Sequence, residues 1–449
     1  MAQRLRIHGS KSKYMRQREK QILIFIISGL VLLKGLLLFA ILPAFKDSYP
    51  NTYNADVIMD GYDLIAQNLL EGRGYRMYPD TSETLIRTPG FVVILAGIFA
   101  IAGKSLTAVK AFNLLLSLAT GWLLYKIASR LTGSRLTALI ASVIFLLYPG
   151  TVIAESRGGI EAVFTFSIAL FMLLFYRSLD TLRYRDFALA GAALGFGLLI
   201  KSTIAPALPV LFLYSVIRQR FRTSFWRLAC LFATSALIAF LVLSPWVIRN
   251  YKLTGKFIPT MTQGGLAVFQ GLYVVEHRSA GKQHHELLSA ATKEQARIAD
   301  AMGLRVQHGF YPQFYSATDE VRYYRALSEK AMAEYRKSPA LLLRVGFYNL
   351  WAFWFQGKTN KATALNMALT FPFLFLVTIG MYAAIRRKLC VGPLMLVVGA
   401  FVAAHLPIIA VARFYIPLVP LLAVPAALPI ALALLRWRPS LGDFERKPA

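Results

Sequence analysis

The chain is poor in cysteine, in charged side chains and above all in acidic residues. Its two cysteines, Cys230 and Cys390, lie at the ends of apolar runs without a partner spacing, so neither a disulfide framework nor a cysteine metal site is predicted. Charged residues make up 16% of the 449 positions and hydrophobic residues 57%, a balance that excludes a typical soluble domain. The composition predicts a multi-pass membrane protein.

Several catalytic and binding signatures are also missing. The sequence has no glycine-rich phosphate loop after a strand, no HExxH or paired-cysteine metal signature, and no Ser-His-Asp arrangement. Nucleic-acid binding is not expected, because the basic residues are scattered among separate loops rather than gathered in one soluble patch. No metal site is predicted, and a divalent cation held by carboxylates is left as an alternative.

Basic residues outnumber acidic ones by 50 to 22, and this excess indicates the topology. Basic loops are retained on the cytoplasmic side of a membrane, and ten spans place every basic loop there. Residues 89–103 are apolar but rise only ~22 Å against a ~30 Å hydrocarbon core, so we interpret them as an interfacial or re-entrant helix. Residues 341–356 are predicted to form a second interfacial helix. Counting both stretches as spans also gives consistent ends but puts residues 126–135 outside.

The predicted organisation has five parts. They are a basic cytoplasmic N-terminus (1–20), a transmembrane bundle with a first extracytoplasmic loop at 46–105 (21–246), a large extracytoplasmic loop (247–363), C-terminal transmembrane helices (364–436) and a cytoplasmic tail (437–449). No cleavable signal is recognised before the first span. Lys34 falls near the middle of that span, where a charge indicates either a function or a snorkelling side chain.

The first extracytoplasmic loop carries three aspartates at helical spacing. Asp56, Asp60 and Asp63 are four and three residues apart in the segment 54–71, whose apolar residues also recur at helical intervals. We therefore expect one helix with the three carboxylates on one face. Carboxylates so close repel one another, which requires a nearby cation, a metal or a raised pKa. The alternative is the solvated face of an interfacial helix.

Further polar residues are predicted on the same outer side of the membrane. Glu161 begins a span at its outer end, where it can face a cavity or simply cap the helix. The step from Pro245 to Trp246 is predicted to end a span at the headgroup level. Arg249 and Asn250 then lie in the interface, where a guanidinium can fork onto phosphate oxygens or serve as an anchor. We expect a site at the outer leaflet.

Several stretches resemble one known superfamily and occur in its order. They are 60–75 (DGYDLIAQNLLEGRGY) with 87–91 (RTPGF), 147–149 (LYP) with 159–164 (GIEAVF), 191–202, 245–251 (PWVIRNY) with 255–259, and 413–420 (RFYIPLVP). Together they are similar to GT-C fold glycosyltransferases of the protein O-mannosyltransferase and aminoarabinose-lipid A transferase superfamily. The resemblance implies an all-α polytopic membrane protein, a GT-C type bundle of about ten transmembrane helices with interfacial helices in its first and large outer loops.

The resemblance also implies a chemistry. It implies inverting transfer of a sugar from a polyprenyl-phosphate-linked donor to a hydroxyl or phosphate of a lipid, polysaccharide or protein acceptor. The general base is a first-loop aspartate, which falls on Asp60, with Asp56 as the reserve; Glu161 assists positioning. The expected location is a bacterial inner membrane, with the site facing the periplasm among membrane lipids.

Cations are expected beside the donor phosphate. Cleavage of a sugar–phosphate bond leaves a phosphate with more negative charge than the donor diester, so preorganised cations stabilise the transition state more than the ground state. The candidates for phosphate binding are Arg249, Arg413, Lys201 and Arg157, each with a snorkelling anchor as the alternative. The candidates for substrate positioning are Tyr62, Asn250 and Tyr415.

Two other functions fit a basic polytopic bundle. A lipid or solute transporter or flippase would show internal repeats and intramembrane carboxylates; no repeat is evident, and the candidate charges other than Lys34 cluster at outer span ends. A non-catalytic relative that binds lipid as a scaffold is the second alternative.

Overall fold

The computed structural model describes residues 28–44, 59–219, 222–279, 282–307 and 311–439. Asp56 and the basic N-terminus lie outside these ranges. Within them the chain is helical, apart from one short antiparallel pair, β1 (Val306–Gln307) and β2 (Gln313–Phe314), in which Val306 is opposite Phe314. The predicted all-α class is confirmed for the described residues.

Helices account for most of the described residues. In chain order they are α1 (Ser28–Ala44, π-helical over Leu37–Ile41), α2 (Tyr62–Leu70), α3 (Pro89–Ala102), α4 (Leu106–Thr132), α5 (Arg135–Leu147), α6 (Pro149–Ser156), α7 (Glu161–Thr181), α8 (Tyr184–Ile200), α9 (Ala207–Gln219), α10 (Phe225–Thr254), α11 (Gly264–Glu276), α12 (His284–Ala301), α13 (Ala317–Lys337), α14 (Pro339–Phe355), α15 (Asn360–Arg386), α16 (Gly392–His405) and α17 (Val419–Trp437). Short 3-10 turns cover Met59–Gly61, Ser202–Ile204 and Ala412–Leu418.

Five of the described segments are long and apolar enough to cross a membrane. They are α4, α7, α10, α15 and Ala412–Trp437, which joins a 3-10 turn to α17. The pair α5 and α6, bent by 46°, adds a sixth if it is one broken span, and α1, α3, α16 and Ser202–Arg218 are shorter apolar helices. The chain is an integral multi-pass membrane protein; its count of ten spans stays a prediction.

Close approach between helices depends on glycine at two contacts. A Cβ added to Gly191 on α8 would lie 2.4 Å from the backbone oxygen of Ser235 on α10, and one added to Gly380 on α15 would lie 1.8 Å from the backbone oxygen of Pro425 on α17. Small residues let transmembrane helices pack backbone against backbone. The two glycines therefore set how closely the bundle closes around α7, the span most enclosed by protein.

Helix α10 continues two turns beyond the position where the sequence predicted its end. Pro245 lies inside the helix, which runs on to Thr254, so the prediction that the Pro245–Trp246 step ends it was wrong. Proline leaves the carbonyl four residues earlier without its usual donor. The Ser244 hydroxyl donates to that carbonyl, of Leu241, at 2.8 Å, so the helix passes the proline with its acceptor satisfied.

The link between α5 and α7 contains a short helix, α6. Tyr148 is extended (φ −60°, ψ 121°), and Pro149 then occupies the first position of α6, where its missing N–H costs nothing. The Thr151 hydroxyl donates to the carbonyl of Tyr148 at 2.7 Å. The result is a short helix, bent away from α5, that leads into Glu161 at the start of α7.

A fully buried ion pair ties α1 to α6. The Lys34 ammonium lies 3.1 and 3.0 Å from the two carboxylate oxygens of Glu155 and donates to the Ser117 hydroxyl at 2.5 Å. Lys34 is wholly buried and Glu155 is 3% exposed. Lys34 is therefore paired inside the protein and does not snorkel.

The segment predicted to form the large outer loop includes α11 to α14 and contacts the first loop through Glu320. Glu320 on α13 is buried, and its carboxylate accepts hydrogen bonds from the Thr84 hydroxyl (2.7 Å), the Leu85 amide (3.0 Å) and the Thr262 hydroxyl (2.6 Å). A buried carboxylate with this many donors is well satisfied. It fixes the first-loop segment that ends at Arg87.

Candidate active site

Asp60 occupies a left-handed turn just before α2. Its φ is 58°, and Gly61 after it has φ 81°. Aspartate tolerates this region better than most residues, and such conformations cluster at functional sites. The turn means that Asp60 and Asp63 do not share one helix face, so the predicted single helix over 54–71 was wrong in the part the structure describes.

Of the three aspartates at helical spacing, the structure describes Asp60 and Asp63, and each has its own cation. Asp63 is buried and lies 3.2 Å from the Lys104 ammonium, and Asp60 pairs with Arg413 at 2.5 Å. Of the three ways in which the sequence allowed their repulsion to be relieved, the structure shows nearby cations for both aspartates. Burial also raises the pKa of Asp63, against the opposing charge of Lys104. Among the described residues no group of three His, Cys, Asp or Glu side chains is placed to hold a metal ion.

Arg413 bridges two carboxylates that are distant in sequence. Arg413 belongs to the 3-10 turn Ala412–Leu418. Its Nη2 donates a hydrogen bond to Asp60, and its Nε donates one to Glu161. Glu161 is nearly buried, with 8% of its side chain exposed, while Asp60 and Arg413 expose 32% and 37%. Burial raises the pKa of Asp60, but the Arg413 charge outweighs it and lowers that pKa to about 2. The group is open to solvent at Asp60 and Arg413 and closed at Glu161.

Lys201 brings a second positive charge to the same place. It follows α8 directly, and its ammonium lies 4.3 Å from the centre of the Phe414 ring. Within the described parts of the chain its side chain makes no hydrogen bond or ion pair. Burial lowers the pKa of Lys201 to about 8, against the opposing field of Glu161. A cation without an acceptor is available to an anionic ligand.

Arg87 holds the Asp60 turn. Its Nη2 donates to the Asp60 carbonyl at 2.9 Å and its Nη1 to the Gln263 amide oxygen at 2.7 Å. The guanidinium lies between the rings of Tyr62 and Tyr311, 4.7 Å from each centre. Despite burial, these neighbours and Asp60 raise its pKa above the usual value. From the sequence, Arg87 was noted only as part of the RTPGF stretch and was not named as a site residue. Its position just before α3 was the one local feature that could have indicated its role.

Lys358 is a further cation that sequence reasoning missed. It lies in the link between α14 and α15, where burial, with help from the nearby Arg157 charge, lowers its pKa against the pull of Asp60. Its backbone carbonyl accepts from the amide and ring of His285. Nothing local marks Lys358, because its partners come from the first loop and from the end of α6.

The site is therefore electropositive. Four cations act on the two carboxylates Asp60 and Glu161; they are Arg413, Lys201, Arg87 and Lys358. A fifth, Arg157, lies near Lys358. Such an excess in a partly enclosed place attracts anions and stabilises charge that develops on them.

Arg249 lies in a neighbouring cluster rather than in this ion-pair group. It donates to the Thr84 carbonyl at 3.1 Å, pairs with Glu83 at 3.4 Å, and stacks against Tyr75 and Trp246. These contacts hold the far end of the segment that carries Arg87. Direct phosphate binding by Arg249 stays a prediction.

The three predicted positioning residues are all buried. Tyr62 packs under Arg87 and edge-on to Phe91 at 5.2 Å. Asn250 donates to the Ile258 carbonyl (2.9 Å) and accepts from Arg249 (3.1 Å). Tyr415 shares its hydroxyl with Tyr148 and Thr370. The contacts described for these three residues are with other protein groups. Their contact with substrate stays a prediction.

Comparison with known proteins gives partial matches. Residues 87–248 match the family described as dolichyl-phosphate-mannose-protein mannosyltransferase. The lipopolysaccharide core galacturonosyltransferase RgtB of Rhizobium johnstonii is 33% identical over 178 residues, which are 38% of this chain and 35% of the relative. The matched part thus spans about a third of that relative's length.

Two solved structures show a low overall likeness. One is ArnT from Cupriavidus metallidurans bound to undecaprenyl phosphate (TM-score 0.42, 14% identity, 94% of this chain and 80% of that one). The other is the same protein in the apo state (TM-score 0.40, 13% identity, 95% and 81%). A likeness this low says nothing about activity.

The matched region includes Arg87, Glu161 and Lys201, three of the residues that the fold brings together around Asp60. It also includes the RTPGF, GIEAVF and 191–202 stretches on which the resemblance rested. The two sequence matches therefore support the resemblance to GT-C glycosyltransferases over the part of the chain that they cover.

Proposed function

We propose that the protein is an integral membrane glycosyltransferase that moves a sugar from a polyprenyl-phosphate-linked donor to a hydroxyl or phosphate acceptor, with inversion at the anomeric carbon. The reaction takes place at the outer leaflet, on the periplasmic face of a bacterial inner membrane. The observation that carries the proposal is the Arg413 guanidinium shared by Asp60 and Glu161. The Lys201 ammonium lies in their field and has no hydrogen-bond acceptor among the described residues.

The donor phosphate competes with Asp60 for Arg413. In the resting site the guanidinium is neutralised by two carboxylates. A phosphate that takes up Arg413 and Lys201 removes the cation that holds the pKa of Asp60 at about 2, and that pKa rises toward its ordinary value. Asp60 thus becomes a stronger base once donor is bound. The competition for Arg413 therefore links the base strength of Asp60 to the presence of bound donor.

Transfer then proceeds in one displacement. Asp60 accepts the proton of the acceptor hydroxyl while the oxygen of that hydroxyl forms a bond to the anomeric carbon. The bond from the anomeric carbon to the phosphate oxygen breaks in the same step. A phosphate acceptor is already ionised and needs no proton removal. The departing polyprenyl phosphate gains one negative charge, which Arg413 and Lys201 stabilise. Glu161 keeps Arg413 oriented through Nε.

The relatives support the class of donor and leave the sugar open. The matched family is described by a dolichyl-phosphate-linked mannose donor, and RgtB is named for galacturonosyl transfer to lipopolysaccharide core. Both descriptions fit an electropositive site at a membrane surface, and a hexose or pentose donor is compatible with it.

The test is transfer from a panel of polyprenyl-phosphate sugars to a membrane extract. The comparison is between wild type, Arg413→Gln and the control Arg297→Gln, an arginine on α12 with 80% of its side chain exposed. Wild type and control should transfer one sugar of the panel, and Arg413→Gln should lose at least about a hundredfold in rate. Unchanged transfer by Arg413→Gln would refute the assignment of the site. No transfer by wild type from any donor would favour a transporter or scaffold.

A further inference from the structure

A second basic cavity lies away from the Asp60 site, where the end of α11 meets α14. It has a volume of about 320 Å³ and is lined by Val275, Arg278, Arg344, Phe347 and Tyr348. Its size suits the headgroup of a small ligand. None of these residues belongs to the ion-pair group around Arg413.

Both arginines of this cavity lack an ion-pair partner in the described part of the chain. The Arg278 guanidinium is held over the rings of Tyr348 and Trp351, 4.7 and 5.8 Å from their centres. Arg344 is exposed and lies in the field of Glu276, whose pKa is nevertheless raised, chiefly by burial. Stacking orients one guanidinium and leaves its edge free to donate.

Beside the two arginines, α14 has an exposed apolar surface. Leu343, Phe347 and Leu350 expose 64%, 74% and 44% of their surfaces, and their spacing of four and three residues puts them on one stripe of α14. A helix with an exposed apolar stripe and cations at its edge lies in the membrane interface. The cavity therefore opens at the level of lipid headgroups.

We propose that this cavity binds the phosphate of an anionic membrane-lipid headgroup, with the acyl chains lying along the Leu343–Phe347–Leu350 stripe. Two guanidiniums can each fork onto phosphate oxygens, and no carboxylate of the described residues forms an ion pair with either of them. A soluble phosphate compound would share the guanidinium contacts but would leave the stripe unused. The proposal does not depend on the glycosyl-transfer reaction.

The cavity is connected to the Arg413 group by hydrogen bonds. The Tyr348 hydroxyl donates to the side-chain oxygen of Gln356 at 3.0 Å, and the backbone carbonyl of Gln356 accepts from the Ala412 amide at 3.0 Å. Ala412 immediately precedes Arg413. A lipid that fixes Tyr348 therefore also steadies the turn that carries Arg413.

The test is lipid binding by the full-length protein in neutral detergent, followed by native mass spectrometry. The probes are phosphatidylglycerol and phosphatidylcholine. The variants are Arg278→Gln with Arg344→Gln together, the charge-keeping pair Arg278→Lys with Arg344→Lys, and the control Arg336→Gln at an exposed position on α13.

Wild type and the control should hold one phosphatidylglycerol molecule more tightly than any phosphatidylcholine. The double glutamine variant should weaken that first binding event by at least about tenfold, because each lost charge-assisted contact is worth a factor of this size, and the lysine pair should recover most of it. Equal affinity in wild type and the glutamine variant, or equal binding of the two lipids by wild type, would overturn the proposal. Full displacement of the lipid by inorganic phosphate would assign the cavity to a soluble anion instead.

Discussion

At the scale of single residues, the site depends on charged side chains. The sequence shows these side chains but not which of them form ion pairs with one another. The spacing of Asp60 and Asp63 predicted a shared face, and Asp60 instead sits in a left-handed turn whose cation comes from position 413. A window of sequence reports helical periodicity but not a partner some 350 positions away. Arg413 and Lys201 were recognised from motifs, whereas Lys358 has no local signal at all.

Lys201 gives the site a predicted pH dependence. Its pKa of about 8 means that the free enzyme carries this cation below pH 8 and loses it as the pH rises through that value. We expect kcat/KM to fall by up to about tenfold per pH unit above pH 8. In Lys201→Arg the charge persists, so this alkaline limb should disappear. An unchanged limb in Lys201→Arg would show that another group titrates there.

Arg249 and Glu83 are predicted to act together. Because both hold the segment that carries Arg87, Arg249→Gln and Glu83→Gln should each reduce kcat/KM by a similar factor, on the order of tenfold. Steady-state rates with increasing donor check this. If only Arg249→Gln has an effect, seen as a raised donor KM, then Arg249 binds phosphate directly, as the sequence motif suggested.

At the scale of helices, the connection between α1 and α6 depends on a buried ion pair. Lys34→Met leaves the Glu155 carboxylate buried without its cation, and removing one partner of such a pair costs about 3–5 kcal/mol. The double variant Lys34→Met with Glu155→Gln removes both charges and should recover most of that loss. Thermal unfolding in detergent measures both. Equal destabilisation in the single and double variants would contradict the pairing.

The contact between α8 and α10 makes a second prediction at this scale. Gly191→Ala forces a Cβ against the Ser235 backbone and should destabilise the protein by about 1–3 kcal/mol. Gly97→Ala on α3 is the matched control, because its Cβ would meet nothing within 4 Å. Thermal unfolding compares the two variants. A neutral Gly191→Ala would mean that the helices pack less closely than described.

At the scale of the whole molecule, the class and the order of elements could be read from the sequence, because apolar length and basic loops are local signals. Helix ends were less predictable. Pro245 is a local break signal that a serine one residue earlier overcomes, and the short helix α6 was not predicted. The burial of Lys34 could not be foreseen either, because Glu155 is 121 residues away.

The most direct measurement of the central claim is donor binding and sugar transfer in Asp60→Asn, beside the control Asp80→Asn at an exposed position of the same loop. The account predicts that Asp60→Asn still binds polyprenyl phosphate, because Arg413 and Lys201 remain, but transfers sugar to a hydroxyl acceptor at least about a hundredfold more slowly. The control should bind and transfer like wild type. Full transfer by Asp60→Asn would contradict the account and make Asp56 the base to test.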